Sequence, residues 1–160
     1  MTKASLPVIL LAAGASSRMR GRDKLMEDVD GQPLLRRQTR LAQSVGPVMV
    51  ALPPAPHPRY TALTGLDITP LPIPDAAEGM GASLRRAFTD LPPDTAAAMV
   101  MLADMPDLEP SDLACLAASV DLSSETLVWR ATTEDGRPGH PIIFAAALFD
   151  QLKRLSGDDG

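Results

Sequence analysis

A turn rich in small, hydroxyl and basic residues follows the first apolar run of the sequence, and such a turn is suited to binding phosphate groups. After the run 7–13 come Gly14, Ser16, Arg18 and Lys24. Small residues let backbone N–H groups approach an anion closely, while basic side chains add fixed positive charge. The spacing is neither that of a P-loop nor that of the dinucleotide-binding glycine motif. We predict a phosphate site here; the alternative is an ordinary strand-to-loop turn with surface basic residues.

A single carboxylate has a similar place in the second half of the sequence. Asp104 follows the apolar run 97–102 and precedes Met105-Pro106. Carboxylate oxygens of this kind bind Mg²⁺, so Asp104 is a candidate metal ligand. Aspartate also caps the turn after a strand by accepting a backbone hydrogen bond. The residue types alone leave both uses open.

Two glycines lie just before a stretch with apolar residues at helical spacing. Gly79 and Gly81 fall within the segment 75–83, and the helical spacing extends over 84–91. The N–H groups at a helix start attract anions, so the glycines could present them to a phosphate or to the edge of a base. A simple helix start is the alternative.

Four other side chains that could do chemistry are expected to bind no ligand. We expect His57, Arg85 and Arg86 to lie at the surface. Cys115 is expected on the apolar side of its helix, buried and inert.

The scaffold that must position these segments is predicted to be of the α/β class. Apolar runs without polar alternation are typical of strands covered on both faces, and here they alternate with stretches at helical spacing. We therefore predict a doubly wound, mainly parallel sheet in a three-layer, Rossmann-like arrangement. Pro70 and Pro72 place their strand at an edge of the sheet. Strands are predicted over 7–13, 48–52, 68–73, 97–102, 126–131 and 142–144.

The segments that follow the predicted strands should meet at one edge of the sheet, because ligands of such sheets bind at the carboxyl ends of the strands. They are the segments 11–24, 53–58, 74–83 and 103–107. Between the strands, one helix is predicted to begin after Pro33 and to end at Gly46, and another to begin at Pro110. The last helix is predicted over 145–155.

Size and charge limit the classes of function. The 160 residues are expected to form one domain, 1–160, with a core that needs no disulfide. The net charge of −5 argues against nucleic-acid and membrane partners, although residues 18–40 hold seven of the fifteen Lys and Arg residues.

The apolar run 6–13 is too short to span a bilayer and makes a poor secretory signal. One cysteine fits a reducing compartment, so we expect a cytoplasmic protein.

Five short motifs, in order, resemble those of the MobA-like nucleotidyltransferases, and among them the molybdenum cofactor cytidylyltransferases most. The resemblance covers essentially the whole chain, and the order of the motifs makes it specific. The motifs are Leu-Ala-Ala-Gly-x-Ser-x-Arg-Met from Leu11, Asp23-Lys24-Leu25 with Gly31-Gln32-Pro33-Leu34-Leu35, Glu78 to Arg85, Leu102-Ala103-Asp104-Met105-Pro106, and Gly139-His140-Pro141.

The resemblance implies a nucleotidyltransferase fold and the transfer of CMP from CTP to the phosphate of molybdenum-loaded molybdopterin, with release of pyrophosphate. It also implies a molybdenum hydroxylase as the client that receives the product. The implied catalytic residues are Arg18, Lys24 and Asp104, with Asp104 binding Mg²⁺. His140 is implied as an acceptor contact. The implied nucleotide-binding residues are Leu11, Ala12, Ala13, Gly14, Ser16, Arg18, Lys24, Pro53, Asp75, Gly79, Met80, Gly81 and Ser83.

Two features qualify this reading. Guanylyl-transferring relatives tend to carry a second glycine where this chain has Ala13, which favours cytosine as the base. The resemblance also implies a further strand and helix with a second metal-binding carboxylate, whereas this sequence ends at Gly160. We therefore expect Mg²⁺ to be held by Asp104 with waters or Asp158. The alternatives are a transferase specific for GTP or a sugar phosphate, and a non-catalytic carrier of the nucleotide or cofactor.

Overall fold

A six-stranded sheet forms the middle of the molecule in the structure, a computed structural model that describes residues 6–14 and 22–156. The eight strands within these residues are β1 (Val8–Leu11), β2 (Asp28–Val29), β3 (Gln32–Pro33), β4 (Val48–Leu52), β5 (Thr69–Pro72), β6 (Ala97–Leu102), β7 (Val128–Thr132) and β8 (Pro138–Ala145). The large sheet has the order β5-β4-β1-β6-β8-β7, and β2 and β3 form a separate hairpin. The predicted mainly parallel α/β sheet is therefore confirmed.

The pairing of β1 with two parallel neighbours sets the geometry of the edge where the strands end. Leu11 pairs with Ala51 of β4 on one side and with Leu102 of β6 on the other. The carboxyl ends of these three strands consequently lie side by side. The strand with Pro70 and Pro72 is β5, at the edge of the sheet as predicted, since proline cannot donate a ladder hydrogen bond.

Helices cover both faces of the sheet and divide the core into two apolar clusters. The described residues form α1 (Leu34–Gln43), α2 (Pro58–Thr61), α3 (Met80–Asp90), α4 (Pro110–Ala118) and α5 (Phe149–Leu152), with 3-10 turns at Lys24–Met26, Ala76–Glu78 and Ala146–Leu148. One cluster packs α1 and α4 against the sheet, for example through Leu35 and Leu113. The other packs α3 and α5 against the opposite face through Phe88 and Phe149. The result is the predicted three-layer arrangement.

The prediction for the carboxyl-terminal part of the chain is wrong in two places. The strand predicted over 142–144 begins at Pro138, because β8 lies between β6 and β7 and pairs with both. His140 therefore belongs to a strand and not to a turn before it. The helix predicted over 145–155 is shorter, since Ala145 still pairs with Ala97 in the sheet. A 3-10 turn and the four-residue α5 take its place.

Cys115 is exposed, which contradicts the expectation that it is buried. It comes two residues after Leu113, the fully buried residue of α4. Two residues turn an α-helix by about 200°, so Cys115 points away from the buried side. Within residues 6–14 and 22–156, no helix combines the length and apolar character that a bilayer span requires.

Gly46 allows two backbone segments to pass close together, a role that the sequence analysis did not predict. The sequence analysis placed Gly46 at the end of a helix. The helix ends at Gln43, and a Cβ atom added to Gly46 would lie 2.2 Å from the carbonyl oxygen of Leu6. Next to this contact, Val8 N–H donates to the Pro47 carbonyl over 2.9 Å. The chain entering β1 thus passes directly over the chain entering β4.

We expect Gly46→Ala to lower the free energy of unfolding by about 2 kcal/mol or more, because two backbone segments would have to move apart. Denaturant unfolding measures this loss. Gly139→Ala is the matched control, since its added Cβ would meet the nearest atom, the Ala131 carbonyl oxygen, at 3.9 Å. The control should stay within about 1 kcal/mol of the parent protein. Equal stability of the two variants would contradict the proposed close approach.

Candidate functional site

A cavity of about 430 Å³ opens at the carboxyl ends of β1 and β6, where the sequence predicts a ligand site. Four parts of the sequence line it: the end of β1, the turn that contains Leu25, the start of α3 with the residues before it, and the end of β6 with the residues after it. The lining residues are Leu11, Ala12, Ala13, Gly14, Leu25, Ala76, Ala77, Gly79, Met80, Ser83, Leu102 and Asp104. The structure therefore brings together eight of the residues predicted to bind the nucleotide or the metal.

The start of α3 lies at this cavity. Gly79 precedes the helix with a φ of 120°, a conformation that side chains rarely adopt, and both Gly79 and Met80 line the cavity. The first N–H groups of a helix have no partner within the helix, and the helix dipole is positive at this end. The predicted role of Gly79 at a helix start is thus consistent with its geometry.

Other described residues that were predicted for the site lie outside the cavity lining. Lys24 is half-buried next to the lining residue Leu25. The Pro53 carbonyl accepts a hydrogen bond from the Tyr60 hydroxyl over 2.7 Å. Gly81 is buried in the first turn of α3. Ser16, Arg18 and Asp158 lie outside the described residues.

Asp75 and Arg85 form an ion pair that the sequence did not predict. Arg85, which was expected to be exposed, is half-buried and donates to the Asp75 carboxylate. It also lies 3.5 Å from the Glu78 carboxylate and donates to the Leu155 carbonyl over 2.7 Å. Asp75 therefore holds the segment before α3 in place. Arg86 is exposed, as expected.

Two side chains of α1 hold the segment that carries Asp104. The Gln38 amide is fully buried and donates to the Met105 carbonyl over 2.7 Å. Arg37 donates to the next carbonyl, that of Pro106, over 3.0 Å. These bonds fix the chain just after Asp104. Just before Asp104, Ala103 N–H donates to the Leu11 carbonyl. Asp104 is therefore anchored on both sides.

His140 and Arg130 lie beyond Asp104, on the antiparallel strands. His140 is half-buried in β8, and Arg130 of β7 is exposed and donates to the Gly139 carbonyl over 3.1 Å. Burial, together with the charge of Arg130, lowers the pKa of the His140 imidazole below its ordinary 6.5, and the Asp104 carboxylate opposes the shift. His140 is thus neutral at neutral pH and lies within electrostatic reach of Asp104.

Among the residues that the structure describes, one carboxylate, that of Asp104, lines the cavity. Within the described residues, no group of three or more His, Cys, Asp or Glu side chains is arranged to hold a metal ion. Mg²⁺ at nucleotide sites is commonly bound through one or two carboxylates together with substrate phosphates and water. Asp104 in the cavity wall fits a cation of that kind, which the nucleotide helps to bind.

Arg59 is the residue of this region that the sequence analysis missed. It follows β4 on the short helix α2, and its side chain is 2% exposed. The guanidinium donates to both carboxylate oxygens of Asp23 over 2.8 and 3.0 Å. It also donates to the carbonyls of Ala12 and Gly14 over 2.6 and 2.8 Å. An isolated arginine among prolines carries no sequence signal for such a role.

Asp23 is the acidic partner of this arginine and the cap of the turn that contains Lys24. Its carboxylate also accepts a hydrogen bond from Leu25 N–H over 3.1 Å. Burial opposes ionisation of Asp23, but the hydrogen bonds and the charge of Arg59, with smaller contributions from Leu25 and His57, hold its pKa below the ordinary 3.8. The folded protein therefore favours the ionised carboxylate.

A second cavity, of about 990 Å³, lies at the opposite edge of the sheet. Pro7 and Ala97, at the amino ends of β1 and β6, line it together with Ala117 of α4. It contains none of the predicted site residues. Because open α/β sheets bind ligands at the carboxyl ends of their strands, we take the smaller cavity as the candidate site.

We expect Asp23→Asn to remove a stabilising contribution that is present above about pH 3.8. A carboxylate with a lowered pKa in the folded state stabilises the protein above its unfolded pKa, and this contribution is lost as the pH falls through the folded value. Unfolding free energies should therefore differ between parent and variant at pH 7 and converge as the pH falls below 3.8. The exposed Asp67, changed to Asn, is the control. A difference between parent and Asp23→Asn that stays constant with pH would contradict the assignment.

Comparison with known proteins identifies the family of the chain. The model of the MobA-like NTP transferase domain matches residues 8–160, and no curated protein gives a significant match. Among solved structures, Rv0371c from Mycobacterium tuberculosis H37Rv is 27% identical, with a TM-score of 0.82 over 99% of this chain and 80% of that chain. A structure of Rv0371c in complex with manganese is 25% identical, with a TM-score of 0.76 over 97% and 78% of the two chains.

Two more distant similarities concern the fold alone. A nucleotidyl transferase from Methanothermobacter is 21% identical, with a TM-score of 0.76 over 98% of this chain and 79% of that chain. A CMP-2-keto-3-deoxy-manno-octonic acid synthetase in complex with CTP is 14% identical, with a TM-score of 0.64 over 92% and 77%. The family match supports a nucleotidyltransferase. Since the family model covers nearly the whole sequence, the chain belongs to the MobA-like NTP transferase domain family.

Proposed function

We propose that this protein transfers CMP from CTP to the phosphate of molybdenum-loaded molybdopterin and releases pyrophosphate. The observation that carries the proposal is the composition of one cavity. Its walls combine the small-residue turn Ala12–Gly14, the amino end of α3 and the Asp104 carboxylate. Backbone donors together with one carboxylate suit a nucleoside triphosphate that brings a divalent cation with it.

The nucleotide would lie between the end of β1 and the start of α3. Ala12 and Ala13 are nearly fully buried, so a base could stack on backbone with no side chain in the way. Gly14 and the first N–H groups of α3 supply hydrogen-bond donors, with Ser16 and Arg18 as further partners of the triphosphate. In this arrangement Ala13, where guanylyl-transferring relatives tend to have glycine, favours cytosine. Ser83 would contact the nucleoside from the α3 side.

The reaction needs charge neutralisation more than proton transfer. An oxygen of the acceptor phosphate forms a bond to the α-phosphorus, and the bond from that phosphorus to the bridging oxygen breaks, so that pyrophosphate leaves. A phosphate monoester is already anionic and needs no general base. Lys24 would stabilise the negative charge that develops around the α-phosphate, and Arg18 the charge of the leaving pyrophosphate.

The acceptor would approach from the side of β7 and β8. Phosphoryl transfer places the attacking and leaving oxygens roughly in line, so the acceptor must lie opposite the pyrophosphate. His140 and Arg130, which lie beyond Asp104, would then face the acceptor. The neutral imidazole of His140 can donate or accept a hydrogen bond, and Arg130 supplies positive charge for an anionic acceptor.

Asp104 would hold the divalent cation against the phosphates of the nucleotide. When bound, a cation such as Mg²⁺ neutralises charge on the triphosphate. Gln38 and Arg37 serve this role indirectly, because they fix the carbonyls of the two residues that follow Asp104. Mg²⁺ is the cation that we propose; manganese is bound in a structure of the similar Rv0371c.

Pyrophosphate release tests the proposed function directly. We expect release from CTP, with Mg²⁺ and molybdenum-loaded molybdopterin, to exceed release from GTP under the same conditions. Lys24→Ala should lower kcat by about 100-fold or more while leaving the unfolding temperature unchanged, since it removes a charge at the reacting phosphates. Lys153→Ala is the control, because Lys153 is an exposed lysine paired with Asp150 at 3.8 Å. Pyrophosphate release from GTP but not from CTP would show that GTP is the nucleotide donor. Binding of a nucleotide without any pyrophosphate release would favour a non-catalytic carrier.

We expect Asp104→Asn to weaken CTP binding in the presence of Mg²⁺ or Mn²⁺ but not in its absence. The amide keeps the shape of the side chain and removes the charge that attracts the cation. Isothermal calorimetry with and without the metal separates the two cases. Asp107→Asn, three residues along the chain and exposed, should behave like the parent protein. An equal loss of affinity with and without metal would remove Asp104 from the metal site.

A further inference from the structure

We infer that Arg59 is a positioning residue of the nucleotide site: it joins the turn after β1 to the Asp23–Lys24 segment and directs two backbone carbonyls away from the ligand. The inference rests on the proposed function for the identity of the ligand. The contacts that carry it do not depend on any ligand. Arg59 itself is almost completely buried and is not among the residues that line the cavity.

On the β1 side, one guanidinium nitrogen of Arg59 donates hydrogen bonds to two carbonyl oxygens. Nη1 donates to Ala12 over 2.6 Å and to Gly14 over 2.8 Å. Carbonyl oxygens are partly negative, so they would repel a phosphate if they faced it. In a planar trans peptide the C=O and N–H groups point in opposite directions. The Ala13 N–H, which shares a peptide unit with the Ala12 carbonyl, therefore points away from Arg59, and Ala13 lines the cavity.

On the other side, the same guanidinium holds the turn that carries Lys24. Its bidentate pair with Asp23 is completed by Leu25 N–H, which donates to the same carboxylate. One rigid group thus sets the separation between the backbone donors after β1 and the Lys24 segment. Arginine suits this task because its planar head fixes the directions of five N–H donors, whereas lysine offers a single nitrogen.

Arg36 provides a matched comparison within the chain. It donates to two backbone carbonyls, those of Ala62 and Thr64, over 3.1 and 2.8 Å. Neither these carbonyls nor Arg36 line the cavity. A substitution at Arg36 therefore removes the same kind of bond without touching the segments that Arg59 connects.

The experiment compares Arg59→Lys and Arg36→Lys with the parent protein. CTP affinity is measured by calorimetry with Mg²⁺, the unfolding temperature by calorimetric scanning, and backbone amide exchange by NMR. We expect Arg59→Lys to bind CTP about 10- to 100-fold more weakly, since hydrogen bonds to a charged group are lost at the site. Exchange at Ala13, Gly14 and Leu25 should become faster in Arg59→Lys only. Arg36→Lys should keep the CTP affinity of the parent.

A second variant separates positioning from stability. Arg59→Met alone leaves Asp23 without its buried partner and should be unstable, whereas Arg59→Met with Asp23→Asn removes both charges and should recover much of that stability. We expect the double variant to remain weak in CTP binding, because nothing then holds the Ala12 and Gly14 carbonyls. Recovery of CTP affinity together with stability would show a structural role only and would overturn the inference.

The failure of this inference differs from the failure of the proposed function. If parent and Arg59→Lys bind CTP equally well, the inference is overturned and the proposed function stands. If the parent binds neither CTP nor GTP, the proposed function is refuted and the ligand-orienting role of Arg59 falls with it. The inference would then reduce to one claim, that Arg59 links the turn after β1 to the Asp23–Lys24 segment. Unchanged amide exchange in Arg59→Lys would overturn that claim.

Discussion

Backbone carbonyl groups at the ends of the parallel strands must find hydrogen-bond donors, because folding removes them from water and no further strand residue reaches them. Side chains from helices supply those donors around the candidate site. Arg59 of α2 donates hydrogen bonds to the Ala12 and Gly14 carbonyls, and Gln38 of α1 donates one to the Met105 carbonyl. The turn after β1 and the segment after β6 are held in this way. The cavity depends on both, since they form two of its walls.

Because basic side chains also serve as donors to backbone carbonyls, the basic cluster in the amino-terminal part of the chain is not simply an anion site. Residues 18–40 contain seven basic side chains, which by count alone indicate an anion site. Arg36 and Arg37, however, donate to carbonyls of loops and not to the cavity. Lys24 lies next to the cavity wall at Leu25. Conversely, Arg59 lies outside the cluster and makes the most buried cationic contact among the described residues of this region.

The change from parallel to antiparallel pairing separates the strands that line the cavity from those that carry His140 and Arg130. β1, β4, β5 and β6 run parallel, and β8 runs antiparallel to β6. An antiparallel neighbour brings its beginning, and not its end, to the edge where β6 ends. This is why His140, near the start of β8, comes within electrostatic reach of Asp104 at the end of β6. A donor nucleotide on the parallel side and an acceptor on the antiparallel side would meet at Asp104.

The sequence by itself determined the layers, the edge position of the strand with Pro70 and Pro72, and three of the four segments predicted to meet at the cavity, since no residue of 53–58 lines it. Continuous apolar runs such as 48–52 and 97–102 became strands with the predicted bounds, because burial on both faces requires them. The small-residue turn, Gly79 and Asp104 were predicted from local residue types, and they share one cavity. Their functional roles remain predictions.

Only the tertiary structure decided which side chains hold those segments. Arg59 lies 36 residues from Asp23, and Gln38 lies 67 residues from Met105. Their hydrogen bonds depend on how α1 and α2 pack beside the strand ends, and no local pattern encodes that packing. The length of β8, the ion pair of Arg85 and the exposure of Cys115 were wrongly predicted from the sequence for a related reason. Each depends on neighbours, or on the rotation of a helix, which are fixed only when the layers come together.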